Sequence, residues 1–269
     1  MARILIPTDF SDDSMHAATY AVDLFGRKGN QYTLLHTFVD AAVDPYLSVS
    51  FTNELMQAAE DGLRLFTDRF VRSTGAEGVE QRVLYGNLAP AVSDMFRDDH
   101  SDLVVMGKRG RSRAISFGSS VVDVIKHARA SVLVVPERAS KVELKHILLA
   151  DDHEETFPSD LALLRRIALM KKAEVVVAHM EMELVEGHDH WSNALYEIAL
   201  EGVPHTFTTA HGREPVHGLE HMAHQRRMDM IVILHRHLGL LEGLFHHSTA
   251  KELALGTDLP LLVLQHGRG

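Results

Sequence analysis

The segment ILIPTDFS, residues 4–11, joins a short apolar run to a polar turn. The apolar run predicts a buried strand. Ser11 and the two aspartates after it predict the start of a helix, because a serine hydroxyl can cap the first backbone N–H groups. From this segment onward, apolar runs alternate with helical periodicity as far as Val135. The resulting order, βαβαβαβαβ, predicts a parallel, doubly wound sheet with helices on both faces.

The segment returns as ILLADDHE at 147–154, at an offset of 143. This alignment pairs Asp9 with Asp152, and the same offset pairs His36 with His179. Because the order of features survives in both halves, the chain is predicted to be a duplication. Two α/β domains, each with a five-stranded parallel sheet, are expected at 1–138 and 144–269.

The composition excludes several classes of function. The 269 residues include no cysteine, so a disulfide framework and a thiolate metal site are both ruled out. A formal net charge of -10 argues against broad nucleic-acid binding, although a local basic patch could hold a small anion. No run of 18 apolar residues occurs, which predicts neither a signal peptide nor a membrane span. We expect a cytoplasmic protein without nucleic-acid or membrane partners.

A glycine-rich stretch, GKRGRSRAISFGSS at 107–120, follows the apolar run that predicts the fourth strand. Open sheets of this class bind ligands beyond the carboxyl ends of their strands, where the strand order reverses. Gly107 and Gly110 would allow a close backbone approach, and Gly118 with the two serines after it would begin a helix whose N–H groups face an anion. The stretch predicts a phosphate site, with simple solvation of its arginines as the alternative.

These residues resemble the universal stress protein family in its tandem form. The family's mark is a loop G-x2-G-x9-G-[ST] after the fourth strand, with an aspartate after the first strand. The loop here is G-x2-G-x7-G-S, two residues shorter. The resemblance implies a strand order of 3-2-1-4-5 in each domain. It also implies a pseudo-twofold pairing of the two domains through their last strands, and it leaves a further homodimer open.

The resemblance implies that the first domain binds ATP. Mg²⁺ is an open addition, for which Asp9 could be a ligand beside the triphosphate. Asp9 would meet the adenosine, and Thr37 would offer its backbone to the adenine. Asp9 could instead be a hydrogen-bond anchor or a helix cap. With one carboxylate and no partner base or nucleophile, the site predicts at most slow ATP hydrolysis. The implied nucleotide-binding residues are Pro7, Thr8, Asp9, Thr37, Met106, Gly107, Arg109, Gly110, Gly118, Ser119 and Ser120.

The second domain has lost the glycines of the loop. At an offset of 128, His235 stands for Gly107 and His246 for Gly118. A Cβ atom at these positions would block the backbone approach that phosphate binding needs. The second domain is therefore predicted to be free of nucleotide and to act as a structural partner.

Fifteen of the 19 histidines also lie after residue 143. His217, His221 and His224 follow an i, i+4, i+7 pattern on a predicted helix, and two imidazoles one turn apart can chelate a zinc ion. A zinc-binding protein that uses this domain is the alternative function, as is a purely structural or interaction role. Solvated surface histidines would explain the same pattern without a metal.

Overall fold

The computed structural model describes residues 1–38, 49–98, 101–108, 119–139, 143–151, 156–181, 191–211, 215–235, 253–254 and 256–267. The chain divides into two compact units, Met1–Val142 (unit 1) and Glu143–Gly269 (unit 2). Within the described part of the chain, no helix is both long enough and apolar enough to cross a membrane.

Unit 1 alternates strands and helices in the predicted order. Its elements are β1 (Arg3–Pro7), α1 (Asp12–Phe25), β2 (Gln31–Phe38), α2 (Val49–Thr74), β3 (Val79–Tyr85), α3 (Leu88–Asp98), β4 (Leu103–Gly107), α4 (Ser119–His127) and β5 (Val132–Val135).

The strands of unit 1 form a parallel sheet in the order β3-β2-β1-β4-β5, which confirms the predicted topology. The first strand pairs on one side with β2, where Pro7 faces Leu35, and on the other with β4, where Leu5 faces Val104. The connection after β1 runs to one side of the sheet and the later strands β4 and β5 lie on the other. The strand order therefore reverses between β1 and β4.

Strands β4 and β5 consist almost wholly of buried apolar residues, which is the pattern expected when helices cover both faces of a parallel sheet. In contrast, β3 is the edge strand next to β2, and it exposes Glu80, Gln81 and Arg82. Charged residues on an edge discourage pairing with another chain. Helix α1 is followed by Gly26 with φ 95°, a conformation that few other residues adopt.

Unit 2 repeats this arrangement. Its strands, again parallel, follow the order β10-β9-β6-β7-β8, which is the order of unit 1 copied strand for strand. The elements are β6 (His146–Asp151), α5 (Ala162–Lys171), β7 (Glu174–Glu181), α6 (Trp191–Ala199), β8 (His205–His211), α7 (Pro215–Gln225), β9 (Met230–His235) and β10 (Leu261–Gln265).

Both sheets are held in the same way at the amino ends of their central strands. In unit 1, a side-chain oxygen of Asp102 accepts a hydrogen bond from the backbone N–H of Arg3 at 2.8 Å. In unit 2, a side-chain oxygen of Asp229 accepts from the N–H groups of Lys145 and His146, at 2.7 and 2.8 Å. The aspartate before the fourth strand of each unit thus fixes the register of that strand against the first.

Candidate functional site at the carboxyl edge of unit 1

The carboxyl ends of β2, β1 and β4 lie side by side in unit 1 because these strands are neighbours and run parallel. This arrangement brings six of the predicted site residues to one edge of the sheet, at the point where the strand order reverses. They are Pro7, Thr8, Asp9, Thr37, Met106 and Gly107. Ser119 and Ser120 begin α4. Arg109, Gly110 and Gly118 lie outside the described residues.

The turn after β1 is ordered by its own side chains. Thr8 is buried, and its hydroxyl oxygen accepts from the N–H of Phe10 at 3.0 Å and lies 2.9 Å from the hydroxyl of Ser14. One carboxylate oxygen of Asp9 accepts from the N–H of Ser11 at 3.1 Å. Such a bond, from a side chain to the backbone two residues on, stabilises a tight turn. Asp9 therefore anchors the turn, as one of the two interpretations of the sequence expected.

The two helices that start at this edge differ in charge. Ser11 caps α1 by accepting from the N–H of Ser14 at 3.1 Å, and Asp12 and Asp13 occupy its first turn. These acids interact favourably with the helix dipole but would repel a phosphate. The first turn of α4 contains no acidic residue and starts with Ser119. An anion at this edge would therefore be favoured at α4 and disfavoured at α1.

Gly107 has a structural role that the sequence interpretation missed. A Cβ atom on Gly107 would lie 2.8 Å from the backbone oxygen of Asp13 and 3.0 Å from its carbonyl carbon. Contacts that short do not occur between real Cβ atoms and backbone, so the first turn of α1 can pack here only against a glycine. The sequence predicted that a ligand would approach the backbone at Gly107. In the structure, the backbone of Asp13 makes that close approach.

His36 lies at the carboxyl end of β2 and reaches across to β1. Its Nδ1 atom is 2.7 Å from the backbone oxygen of Thr8, and its ring stacks on Phe10 with centroids 4.2 Å apart. The residue is half-buried. Phe10, in contrast, was not predicted to be important. The signal that could have drawn attention to it is a large aromatic residue inside an otherwise polar turn.

The corresponding edge of unit 2 carries a buried polar cluster. Asp151, at the end of β6, is 2% exposed, and its two carboxylate oxygens accept from Nδ1 of His179 at 2.5 Å and from the hydroxyl of Tyr196 at 2.6 Å. The strand register pairs Ala150 with Ala178 just as it pairs Pro7 with Leu35, so Asp151 occupies the place of Thr8. The predicted equivalence of His36 and His179 is confirmed.

The register corrects the predicted counterpart of Gly107. Leu103 faces Ile4 in unit 1, and Met230 faces Ile147 in unit 2, which sets the offset at 127 rather than 128. Leu234, not His235, therefore stands in the place of Gly107. The sequence alignment was wrong by one residue because it matched His235, the last residue of β9, to the first glycine of the glycine-rich stretch. A Cβ-bearing residue occupies the position in either case.

The histidines of α7 lie on its solvent side. His217 is exposed, with Nδ1 4.0 Å from a carboxylate oxygen of Glu220, and Nε2 of His221 is 2.8 Å from the amide nitrogen of Gln225. Across the described ranges, no three histidine, aspartate or glutamate side chains come together in a way that could hold a metal ion. Zinc binding by His217, His221 and His224 stays a prediction.

Comparison with known proteins adds a family and several similar structures. The family model of the Universal stress protein family matches residues 1–136. Universal stress protein C from Escherichia coli is 22% identical over 135 residues, which make up 50% of this chain and 95% of that protein. A universal stress protein from Archaeoglobus fulgidus has the same fold, with a TM-score of 0.78 and 17% identity over 98% of both chains.

A functionally unknown protein from Pseudomonas aeruginosa is also similar, with a TM-score of 0.56 and 14% identity over 99% of this chain and 93% of that chain. These structural likenesses cover both units, whereas the family match covers unit 1. The sheet order, its repetition in unit 2 and the family match over half of the sequence lead to one conclusion: the chain belongs to the universal stress protein family.

Proposed function

We propose that the chain is a cytoplasmic stress-response module whose unit 1 binds an adenine nucleotide, ATP together with Mg²⁺, at the carboxyl edge of β2, β1 and β4. The observation that carries the proposal is the reversal of strand order between β1 and β4, with the polar turn Thr8-Asp9 beside it. In open parallel sheets this is the place where ligands bind.

The phosphates would bind on the β4 side. The segment from Lys108 to Gly118 contains four basic residues and two glycines, and it leads directly into the acid-free first turn of α4. Arginine can hold phosphate oxygens through paired hydrogen bonds, and helix N-termini present N–H groups to anions. The packing of α1 already requires a glycine at Gly107. Substitutions of Gly110 and Gly118 therefore test phosphate binding more directly than a substitution of Gly107.

The base would bind on the β2 side, near Thr37 and Asp9. Unit 2 is not expected to bind in the same way because Asp151 fills the place of Thr8 and is already bonded to His179 and Tyr196. Leu234 in the place of Gly107 adds a side chain at the neighbouring strand end. One site in the full chain is therefore expected.

Isothermal titration calorimetry of the full chain with ATP and Mg²⁺ tests the proposal. We expect one site, and we expect Gly110→Val and Gly118→Val each to weaken binding at least tenfold, about 1.4 kcal/mol, because a branched side chain would occupy the phosphate approach. His246→Val, in the sequence that follows β9 in unit 2, is the control and should leave the affinity unchanged. Equal affinity for the wild type and both glycine variants would remove the loop from the site.

A further inference from the structure

The ring of His36 is oriented by a hydrogen bond whose direction can be assigned. Its Nδ1 atom lies 2.7 Å from the carbonyl oxygen of Thr8. A carbonyl oxygen can only accept, so Nδ1 carries the hydrogen. In the neutral ring the other nitrogen, Nε2, must then be a hydrogen-bond acceptor. The fold therefore selects one tautomer of His36 and presents an acceptor at the carboxyl edge of the sheet.

Phe10 holds the ring in this orientation. The two rings are stacked, with an angle of 27° between their planes, and Phe10 also lies 6.1 Å from the ring of Phe66. Phe10 adopts φ 64°, a left-handed conformation that is unfavourable for a bulky residue. The bond from its N–H to Thr8 stabilises that conformation. Gly62 leaves room for the phenyl ring, since a Cβ atom there would lie 2.8 Å from it.

The acceptor of His36 has no partner among the described residues. His36 is half-buried, and its Nε2 makes no hydrogen bond to any of them. Through Nδ1, the ring is bonded to the turn that carries Asp9, and the backbone of Thr37 follows it in β2. Asp9 and Thr37 are the two residues expected to flank the base. An acceptor on an oriented ring, with no partner among the described residues, therefore lies at the edge where the base is proposed to bind.

Purine bases differ in what they offer to such an acceptor. Adenine carries an amino group on C6, which donates a hydrogen bond, whereas hypoxanthine and guanine carry a carbonyl oxygen, which does not. We propose that His36 selects adenine by accepting a hydrogen bond from this amino group at Nε2. The inference rests on the proposed nucleotide site and adds to it the residue that determines the choice of base. Sites that hydrogen-bond a polar substituent discriminate strongly against analogues that lack it.

Unit 2 supports the distinction by contrast. His179 occupies the same position, but its Nδ1 atom bonds to the buried carboxylate of Asp151 instead of a backbone oxygen. The ring there belongs to a closed polar cluster with Tyr196. The equivalent histidine is therefore used for internal structure in unit 2, and only the one in unit 1 is expected to affect a nucleotide.

The test is a cycle that removes the amino group from the ligand and the acceptor from the protein. Affinities are measured for ATP, for inosine triphosphate and for purine riboside triphosphate, which lacks any group on C6. In the wild type we expect ATP to bind at least tenfold more tightly than either analogue. In His36→Phe, which keeps a flat ring against Phe10, the ratio should fall below about threefold. His217→Phe, at an exposed histidine, is the control and should keep the wild-type ratio.

The outcomes separate the inference from the proposed function. Absence of ATP binding to the wild type would overturn both. Tight binding of ATP with equal affinity for the two analogues would overturn the role of His36 and leave the nucleotide site intact, and this result needs no variant. An adenine preference that persists in His36→Phe would assign base selection to another residue. Circular dichroism of His36→Phe establishes that the variant is folded before its affinities are compared.

Discussion

The carboxyl edges of the two units are built on the same strands but use their side chains differently. In unit 1, His36 bonds to a backbone oxygen, and Thr8 beneath it supports the turn. In unit 2, Asp151 replaces Thr8, and its carboxylate binds His179 and Tyr196. At equivalent positions, unit 1 thus has a polar turn and unit 2 has a buried cluster made by Asp151, His179 and Tyr196. The same strand arrangement can therefore support different hydrogen-bond networks at the same edge.

The largest effect is expected when the unit 2 cluster is broken. Asp151→Ala leaves Nδ1–H of His179 and the hydroxyl of Tyr196 without their acceptor in a buried place, so we expect the free energy of unfolding to fall by about 3 kcal/mol. Urea unfolding followed by circular dichroism measures it. Thr8→Val, the corresponding change in unit 1, should cost about 1 kcal/mol. Equal losses would mean that the two edges do not differ as described.

Gly107→Ala should be the most damaging change at the edge of unit 1. The new Cβ atom would meet the backbone of Asp13 at 2.8 Å, and backbone cannot move aside as a flexible side chain can. We expect a loss of about 2 kcal/mol in the free energy of unfolding. Gly256→Ala is the control, because its Cβ atom would lie 3.4 Å from the end of the Glu220 side chain, and it should change stability by less than about 0.5 kcal/mol. If Gly107→Ala were as stable as the wild type, the packing role of Gly107 would be wrong, and ligand binding would again be the reason for a glycine at this position.

Alkaline pH should lower the free energy of unfolding of unit 1 through Tyr32. Unit 2 has Val175 at the equivalent position and lacks this effect. Burial raises the pKa of Tyr32 to about 12, and its hydroxyl donates to the backbone oxygen of Gly26. The unfolded chain releases this proton near pH 10, so the contribution of Tyr32 is complete below pH 10 and is lost between pH 10 and 12.

The matched variant for this loss is Tyr32→Phe. Between pH 10 and 12, its free energy of unfolding should fall less steeply than that of the wild type, by up to about 1.4 kcal/mol per pH unit. Ultraviolet absorbance should show a tyrosine that ionises near pH 12 in the wild type and is missing in Tyr32→Phe. Parallel pH profiles for the two proteins would contradict the burial of the hydroxyl.

The smallest difference is expected at the amino edges. Asp102→Ala removes the acceptor of the backbone N–H of Arg3, and Asp229→Ala removes the acceptor of the N–H groups of Lys145 and His146. These groups are exposed, so we expect each variant to lose about 0.5–1 kcal/mol in the free energy of unfolding. Thermal unfolding of the two variants beside the wild type measures both losses. A loss above about 2 kcal/mol in either variant would show that its aspartate does more than accept from exposed backbone N–H groups.

Much of the fold could be predicted because it depends on patterns that lie along the sequence. Apolar runs, the cap at Ser11 and the glycine after α1 mark elements locally, and the repeat carried the same assignment into unit 2. The strand order followed from the family resemblance. The error of one residue at Leu234 arose because letters were aligned across a loop, whereas register is set by pairing with a neighbouring strand.

The site was predicted less completely because its geometry depends on contacts between distant segments. Nothing along the sequence near Gly107 indicates that Asp13 will pack against it, since that contact joins the start of α1 to the end of β4. The tautomer of His36 likewise depends on a backbone oxygen 28 residues away. Sequence patterns show which residues reach the edge. Tertiary packing decides which of them are already engaged by the protein.

The aspartates at the amino edges also have a meaning for how such a chain diverges. After a duplication, one copy can change its binding residues without loss of function, because one competent site is enough for a ligand. Each sheet, in contrast, must still fold by itself. Asp102 and Asp229 both kept the bond to the backbone N–H of the first residue of the central strand, whereas Thr8 and Asp151 differ. Differences between the halves of a tandem chain therefore point to the activity, and what the halves share points to assembly.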